Sequence, residues 1–360
     1  QWIEDADELE TFCESLSDDP VGVDTESDHF HAYQAKVCLF QVAQGEREAL
    51  IDPLALDAQE LEPLFEVLRN PDIVTMLHAA RNDINEIDRD YGVGMNSLFD
   101  TQIAARFLEA GGNSLDWMLK ELLDVQAPTG FKRFDWTTRP IPEDAQRYAI
   151  TDVRYLEDLR DGFLHHLEEA GWLEPFRQQC EFIAQSVTYR ETEFDPEGWR
   201  SLDGADNLDG AGRAALKALY QWRHELCSDQ NQSAVTLFPN GALLRLAHHR
   251  PENASGVADI AGMPSQLARD QGEAIAEVIR ESQNGDYPPE KAPNSGSSGS
   301  RPSRAENRRY DALRDLRNDA SESLGIPPEF IATNDTLMKI AQDPPESLEE
   351  LTEVREMLPW

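Results

Sequence analysis

The sequence predicts an α/β domain, a mixed sheet flanked by helices, followed by two small all-α modules. Three observations carry this reading. Apolar strand-like runs with short connections open the chain and then alternate with helical patterns. The strand pattern stops after about Asn207. The helical remainder then repeats itself at a fixed spacing.

Val21-Gly22-Val23-Asp24-Thr25 alternates in the manner of a strand. Val37-Cys38-Leu39-Phe40-Gln41-Val42 and Ala49-Leu50-Ile51-Asp52-Pro53 are two more, and their short connections predict antiparallel hairpins. Leu61, Leu64, Phe65 and Leu68 recur at helical spacing, and Pro71 closes that helix. Ile73-Val74-Thr75-Met76-Leu77 reads as a short buried strand, followed by a polar helix from about Ala80. Helices are predicted over 99–108 and 115–123, then a looser stretch over 128–140. Pro142 starts another helix, with Glu143 and Asp144 in its first turn where the dipole favours acids. That helix runs through Tyr148, Asp152 and Leu156. The α/β domain is expected to span residues 1–180.

Residues 214–226 and 310–324 carry clear helical patterns, and 286–303 is rich in Pro, Gly and Ser. Asn240, Leu243, Leu246, Ala247 and Pro251 align with Asn334, Leu337, Ile340, Ala341 and Pro345, each pair 94 residues apart. A shared apolar pattern alone would be weak evidence, but Asn, Ala and Pro in the same register make it a duplication. Two copies of one helical module are therefore predicted, over 207–284 and 307–360, with a flexible linker at 285–306.

Acidic residues number 69 against 32 basic ones, a net charge of −37. Such a field repels polyanions in dilute buffer. Lysine occurs only at positions 36, 120, 132, 217, 291 and 339. Excess carboxylate with scarce lysine is the composition expected of a protein working in concentrated salt, where the Debye length falls to about 3 Å at 1 M. No apolar run approaches the roughly eighteen residues of a membrane span, and the chain starts Gln1-Trp2-Ile3 with no basic and apolar leader. A cytoplasmic protein with no membrane partner is expected. Cys13, Cys38, Cys180 and Cys227 fit no metal-ligand spacing and are expected to be reduced thiols.

The chemistry lies in acids delivered by the α/β domain. Asp24 and Glu26, two apart on a strand, point to one face and repel unless a cation lies between them. Any acid-x-acid triplet is common in so acidic a chain, so the pair gains weight only from the apolar strand that delivers it. Asp83, just beyond a buried strand and His78, is an ordinary acid when taken alone. Tyr148 and Asp152 are four apart and share a helix face. Four such acids suit Mg²⁺, a hard cation that prefers oxygen. A pair of ions about 3.5–4 Å apart can stabilise both oxygens of a phosphodiester displacement. Neither a cysteine nor a histidine nucleophile is evident.

Asp24-Thr25-Glu26, His78-Ala79-Ala80-Arg81-Asn82-Asp83 and Tyr148-Ala149-Ile150-Thr151-Asp152 resemble the three motifs of the DEDD exonuclease superfamily, in its tyrosine subgroup. Phe99-Asp100-Thr101-Gln102 and Asp135-Trp136-Thr137-Thr138-Arg139-Pro140 resemble ribonuclease D in particular, and the helical repeats resemble HRDC modules. The resemblance implies a ribonuclease H-like exonuclease domain followed by two HRDC modules. It implies a 3′→5′ exoribonuclease that uses two divalent ions, Mg²⁺ or Mn²⁺, and releases nucleoside 5′-monophosphates from a 3′-hydroxyl end. Asp24, Glu26 and Asp152 would hold one ion, Asp24 and Asp83 the other, and Tyr148 would orient the attacking water. Single-stranded RNA 3′ ends, transfer-RNA precursors among them, are the implied substrates of a monomer.

Where the family has an aromatic residue soon after the first motif, this chain has Ser27, Asp28 and His29, so Phe30 or Tyr33 would replace the wedge against the terminal base. His78 is expected to be structural before it is a substrate contact. Lys132, Arg133 and Arg139 are the nearest candidate phosphate contacts. Two alternatives stay open: the same fold acting on DNA, and a non-catalytic nucleic-acid-binding protein.

Overall fold

The computed structural model describes residues 1–191, 193–285, 287–288, 302–354, 357–358 and 360. They pack as two units, one of residues 1–27, 37–190 and 299–360, the other of 28–36 with 191–298.

The first unit is built on a six-stranded mixed sheet. Its strands are β1 (Trp2–Ile3), β2 (Val21–Ser27), β3 (Val37–Gln44), β4 (Arg47–Ile51), β5 (Thr75–Leu77) and β6 (Leu98–Asp100), in the order β1-β4-β3-β2-β5-β6. The pairs β2–β3 and β3–β4 are antiparallel, and β1–β4, β2–β5 and β5–β6 are parallel. Every residue of β3 is buried, which explains its unbroken apolar run. Helices α1 (Ala6–Glu14), α2 (Glu62–Arg69), α3 (Arg81–Tyr91), α4 (Thr101–Phe107), α5 (Leu115–Leu123), α6 (Glu143–Arg154), α7 (Leu156–Glu169) and α8 (Leu173–Ser186) surround it.

Helix α6 lies close against the sheet. It buries Ala145, Ala149 and Val153, and the two alanines are small enough to permit that approach. A Cβ at Gly22 would sit 2.9 Å from the carbonyl oxygen of Val153, so only glycine lets α6 come this near to β2. The helix begins at Glu143 with Pro142 at its N-cap, as its sequence predicts. The expected helix over 99–108 is shorter than its pattern. Leu98–Asp100 pairs with β5 as a parallel strand, and α4 starts only after Asp100 caps it.

The second unit holds α9 (Gly210–Gln230), α10 (Ala234–Leu237), α11 (Asn240–His249), α12 (Ala254–Ala258) and α13 (Ser265–Ser282) around Leu216, Leu219, Phe238, Leu243, Leu246 and Ile275. The second helical module comprises α14 (Arg304–Leu324), α15 (Pro328–Ile331), α16 (Asn334–Gln342) and α17 (Leu348–Glu353). The duplication extends to individual hydrogen bonds. Asp209 and Ser303, 94 residues apart, are N-caps of α9 and α14, and Asn231 and Gly325 end those helices in left-handed conformations. Arg223 donates to Phe238 O and Asn240 Oδ1, and Arg317 donates to Ala332 O and Asn334 Oδ1 at the same spacing.

The second module packs onto the α/β domain within the first unit. Ile326 and Phe330 join the domain core, where the Phe330 ring stacks on Phe107 with centroids 4.5 Å apart. Arg106 lies over the Phe330 ring and pairs with Glu329. Trp360 lies against Trp172 and Phe107. The linker expected over 285–306 falls largely outside the described residues. No helix among the described residues is long and apolar enough to cross a membrane. All four cysteines are free thiols.

Candidate active site

Strand β2 carries Asp24 and Glu26, opposite Gln41 and Leu39 of β3. The ladder shifts register between Glu26 and Ser27, the last residue of β2, which pairs with Val37. Helix α6 lays Asp152 against them, so one carboxylate oxygen each from Asp24, Glu26 and Asp152 falls within 4.8 Å of the others. All three are half-buried, open enough to accept a ligand and too enclosed to shed their charge into water. The fourth acid, Asp83, is buried on the first turn of α3. It accepts hydrogen bonds from the Thr25 amide at 3.1 Å and the Thr25 hydroxyl at 2.7 Å.

The electrostatics record the crowding. Burial, then Asp83, Asp152 and Glu26, pushes the Asp24 carboxyl well above its ordinary range. Burial, followed by Asp152 and Asp83, raises Glu26 to about 9. Asp83 is pushed up to about 7, chiefly by burial, and Asp152 to about 7 by burial and then Asp116. Acids that resist ionising together are a place where a cation would be stabilising. The oxygen-only donor set fits Mg²⁺ or Mn²⁺ and not a thiol-seeking metal.

Tyr148 stands one turn before Asp152 on α6. Its ring is held by Phe131 and Trp136, with centroids 5.7 Å and 6.2 Å away. Burial, then Asp152, Glu26 and Asp24, raises its phenol far above the ordinary value. It therefore keeps its proton at physiological pH.

The other expected residues separate. Exposed Lys132 places Nζ 3.3 Å from Asp116 Oδ2, and its charge bears on Asp152. Arg133 is exposed in the same loop. Arg139 faces inward. Its guanidinium clasps Asp52 through Nε and Nη2 at 2.6 and 2.7 Å and donates to the carbonyls of Trp136, Thr138 and Cys38. Those bonds occupy its fork, so Arg139 ties the 136–140 loop to β3 and has no donor to spare for phosphate. His78 places Nδ1 3.0 Å from Thr101 Oγ1, and burial lowers its pKa to about 4, so it is neutral. Phe30 and Tyr33 belong to the segment packed in the second unit, where the Tyr33 hydroxyl lies 2.6 Å from His224 Nδ1.

Three residues near the site escape sequence reasoning. Thr25 carries no signal of its own between its two acids. Asp116 bears on Asp152, Tyr148 and His78 from α5, with no local motif to mark it. Asp100 lies in the Phe-Asp-Thr stretch that carried part of the resemblance, but nothing in the sequence says what its carboxylate does.

A strand acid pair, a helix acid and a Tyr-x-x-x-Asp helix converging at the end of the central strand β2 define a 3′→5′ exonuclease domain. The family described as 3′-5′ exonuclease matches residues 1–168, and the HRDC domain matches residues 213–279 and 306–360. Ribonuclease D of Jannaschia sp. is 30% identical over 352 residues, covering 94% of this chain and 88% of that protein. The exosome complex exonuclease RRP6 of Saccharomyces cerevisiae is 27% identical over 295 residues, but this chain spans only 40% of its length. The crystal structure of Escherichia coli RNase D superposes with a TM-score of 0.65 at 25% identity, covering 99% of this chain and 95% of that one. The chain belongs to the ribonuclease D family.

Proposed function

We propose that this enzyme removes nucleotides one at a time from the 3′-hydroxyl end of single-stranded RNA, with Asp24, Glu26, Asp83 and Asp152 as metal ligands and Tyr148 as the residue that orients water. The observation that carries the reading is the convergence of Asp24, Glu26 and Asp152 oxygens within 4.8 Å beside a phenol that keeps its proton. Two divalent ions bound there would stabilise the attacking and leaving oxygens of the scissile phosphodiester. Asp24, Glu26 and Asp152 would hold one, and Asp83 would share the other with Asp24. Tyr148, fixed by Phe131 and Trp136, aims the water by a hydrogen bond. Lys132 and Arg133 supply positive charge in the loop before α6.

The substrate follows from the relatives. Proteins named ribonuclease D, including the E. coli enzyme described as acting in structured RNA processing, support RNA, and transfer-RNA or other stable RNA precursors as its source. The enzyme works as a cytoplasmic monomer. Digestion of matched RNA and DNA strands with free 3′-hydroxyls tests the assignment. RNA should be shortened stepwise to nucleoside 5′-monophosphates with Mg²⁺ or Mn²⁺ and left intact with chelator. Faster digestion of the DNA strand would move the enzyme to the DNA-directed alternative.

A further inference from the structure

Between Leu77, the last residue of β5, and Asp83 on α3 the chain turns sharply. Ala79 takes φ 61° there, a left-handed conformation that residues with a Cβ rarely adopt. The N-cap position of α3 is Ala80, which has no side chain to satisfy the amides of the first turn. With no side-chain cap at Ala80, a hold comes from the neighbouring strand, at the end of β6.

Asp100 is buried and spends both carboxylate oxygens on backbone amides. Oδ1 accepts from Ala79 at 3.0 Å, Gln102 at 2.8 Å and Ile103 at 3.3 Å. Oδ2 accepts from Ala80 at 2.9 Å. The buried Thr101 hydroxyl donates to the Leu77 carbonyl at 3.2 Å and lies 3.0 Å from His78 Nδ1. Two consecutive residues thus hold the four that lead from β5 into α3.

We infer that Asp100 is a positioning residue for catalysis: by holding the amides of Ala79 and Ala80 it fixes the β5–α3 turn, and with it the place of Asp83 opposite Thr25 and the acidic cluster. The inference rests on the assignment of Asp83 as a metal ligand. Capping α4 is the ordinary job of such an aspartate, and it uses Oδ1 alone. Asp100→Asn spares the cap and breaks half of the hold on the turn. The asparagine oxygen keeps the bonds to Gln102, Ile103 and Ala79, while its NH₂ group meets the Ala80 N–H donor to donor.

The test is Mn²⁺ binding to the full chain by calorimetry without RNA, with thermal melts of the same samples. Removing a group that orients a metal ligand typically weakens metal affinity about 10–100-fold. Asp100→Asn should weaken one of the two bound ions by about that factor and leave the other unchanged. Ile103→Val, which trims the buried core of α4 without touching the turn, is the comparison matched for stability. Unchanged Mn²⁺ binding in Asp100→Asn overturns the inference. So does an equal loss in Ile103→Val at an equal fall in melting temperature, because Asp100 would then be a helix cap and no more. If Asp100→Asn does not fold, Thr101→Val should weaken the same ion, and unchanged binding there also overturns it. A wild-type chain that binds no Mn²⁺ would sink the metal assignment itself and this inference with it, whereas wild-type binding with an unaffected Asp100→Asn sinks the inference alone.

Discussion

Asp83 is fastened to Thr25 twice, through the amide at 3.1 Å and the hydroxyl at 2.7 Å. The residue between the two acids of the first motif therefore holds the acid of the second. The hydroxyl bond is charge-assisted once Asp83 ionises, and it sets which way the carboxylate faces. Thr25→Val keeps the branched shape and the amide and removes only the hydroxyl. Turnover should fall about 10–100-fold, with the melting temperature nearly unchanged. Steady-state kinetics beside a thermal melt check this; wild-type turnover would mean that Asp83 needs no such guide.

Tyr148→Phe isolates the phenol hydroxyl. The ring keeps its contacts with Phe131 and Trp136, so fold and metal affinity should be preserved. Turnover should drop by about 10²–10⁴, the usual contribution of a group acting on the reacting water. KM for a short RNA should change little. Full activity in this variant would make Tyr148 a packing residue only.

Without divalent metal, stability should fall as pH rises. Burial and neighbouring acids hold the Asp83 and Asp152 carboxyls at about 7 and Glu26 at about 9, above the ordinary carboxylate values near 4. Groups whose folded pKa exceeds the unfolded one stabilise fully below the unfolded value, and the benefit is lost as pH climbs through the folded value. Melting temperatures in chelator should therefore decline from about pH 5 to about pH 9. Mg²⁺ should flatten or reverse the decline by neutralising the ionised cluster. A chelated protein that gains stability over that range would contradict the crowding.

The second helical module should stabilise the exonuclease domain. Phe330 is buried against Phe107 and covered by Arg106. Truncating a buried Phe to Ala costs about 3–5 kcal/mol. Phe330→Ala should therefore lower the melting temperature of the catalytic domain by several degrees. A variant with unchanged domain stability would make the Phe330–Phe107 contact incidental to the catalytic domain.

Much of this was legible in the residues. Asp24 with Glu26, and Tyr148 with Asp152, are placed together by local spacing on one strand and one helix; Asp83 was marked only by the resemblance of its motif, and the duplication follows from register. What was not legible depends on pairing across the chain. Arg139 reads as a phosphate contact until Asp52, far away in sequence, is seen to occupy it. Leu98–Asp100 is a strand only because β5 lies beside it; its apolar residues continue smoothly into a helical pattern. The docking of the second module rests on Phe107 and Phe330, each of which alone reads as an ordinary core aromatic.

The measurement that bears most directly on the central claim is digestion of a 5′-labelled RNA with a free 3′-hydroxyl by wild type and Asp152→Asn, with Mg²⁺ and with chelator. Wild type with Mg²⁺ should give a ladder shortening by single nucleotides from the 3′ end and release nucleoside 5′-monophosphates. Chelator should stop it. Asp152→Asn should be inactive while folded and, without metal, at least as stable as wild type, because one of four mutually repelling acids is gone. Chelator-resistant cleavage, internal cuts, or activity in Asp152→Asn within about tenfold of wild type would contradict the account.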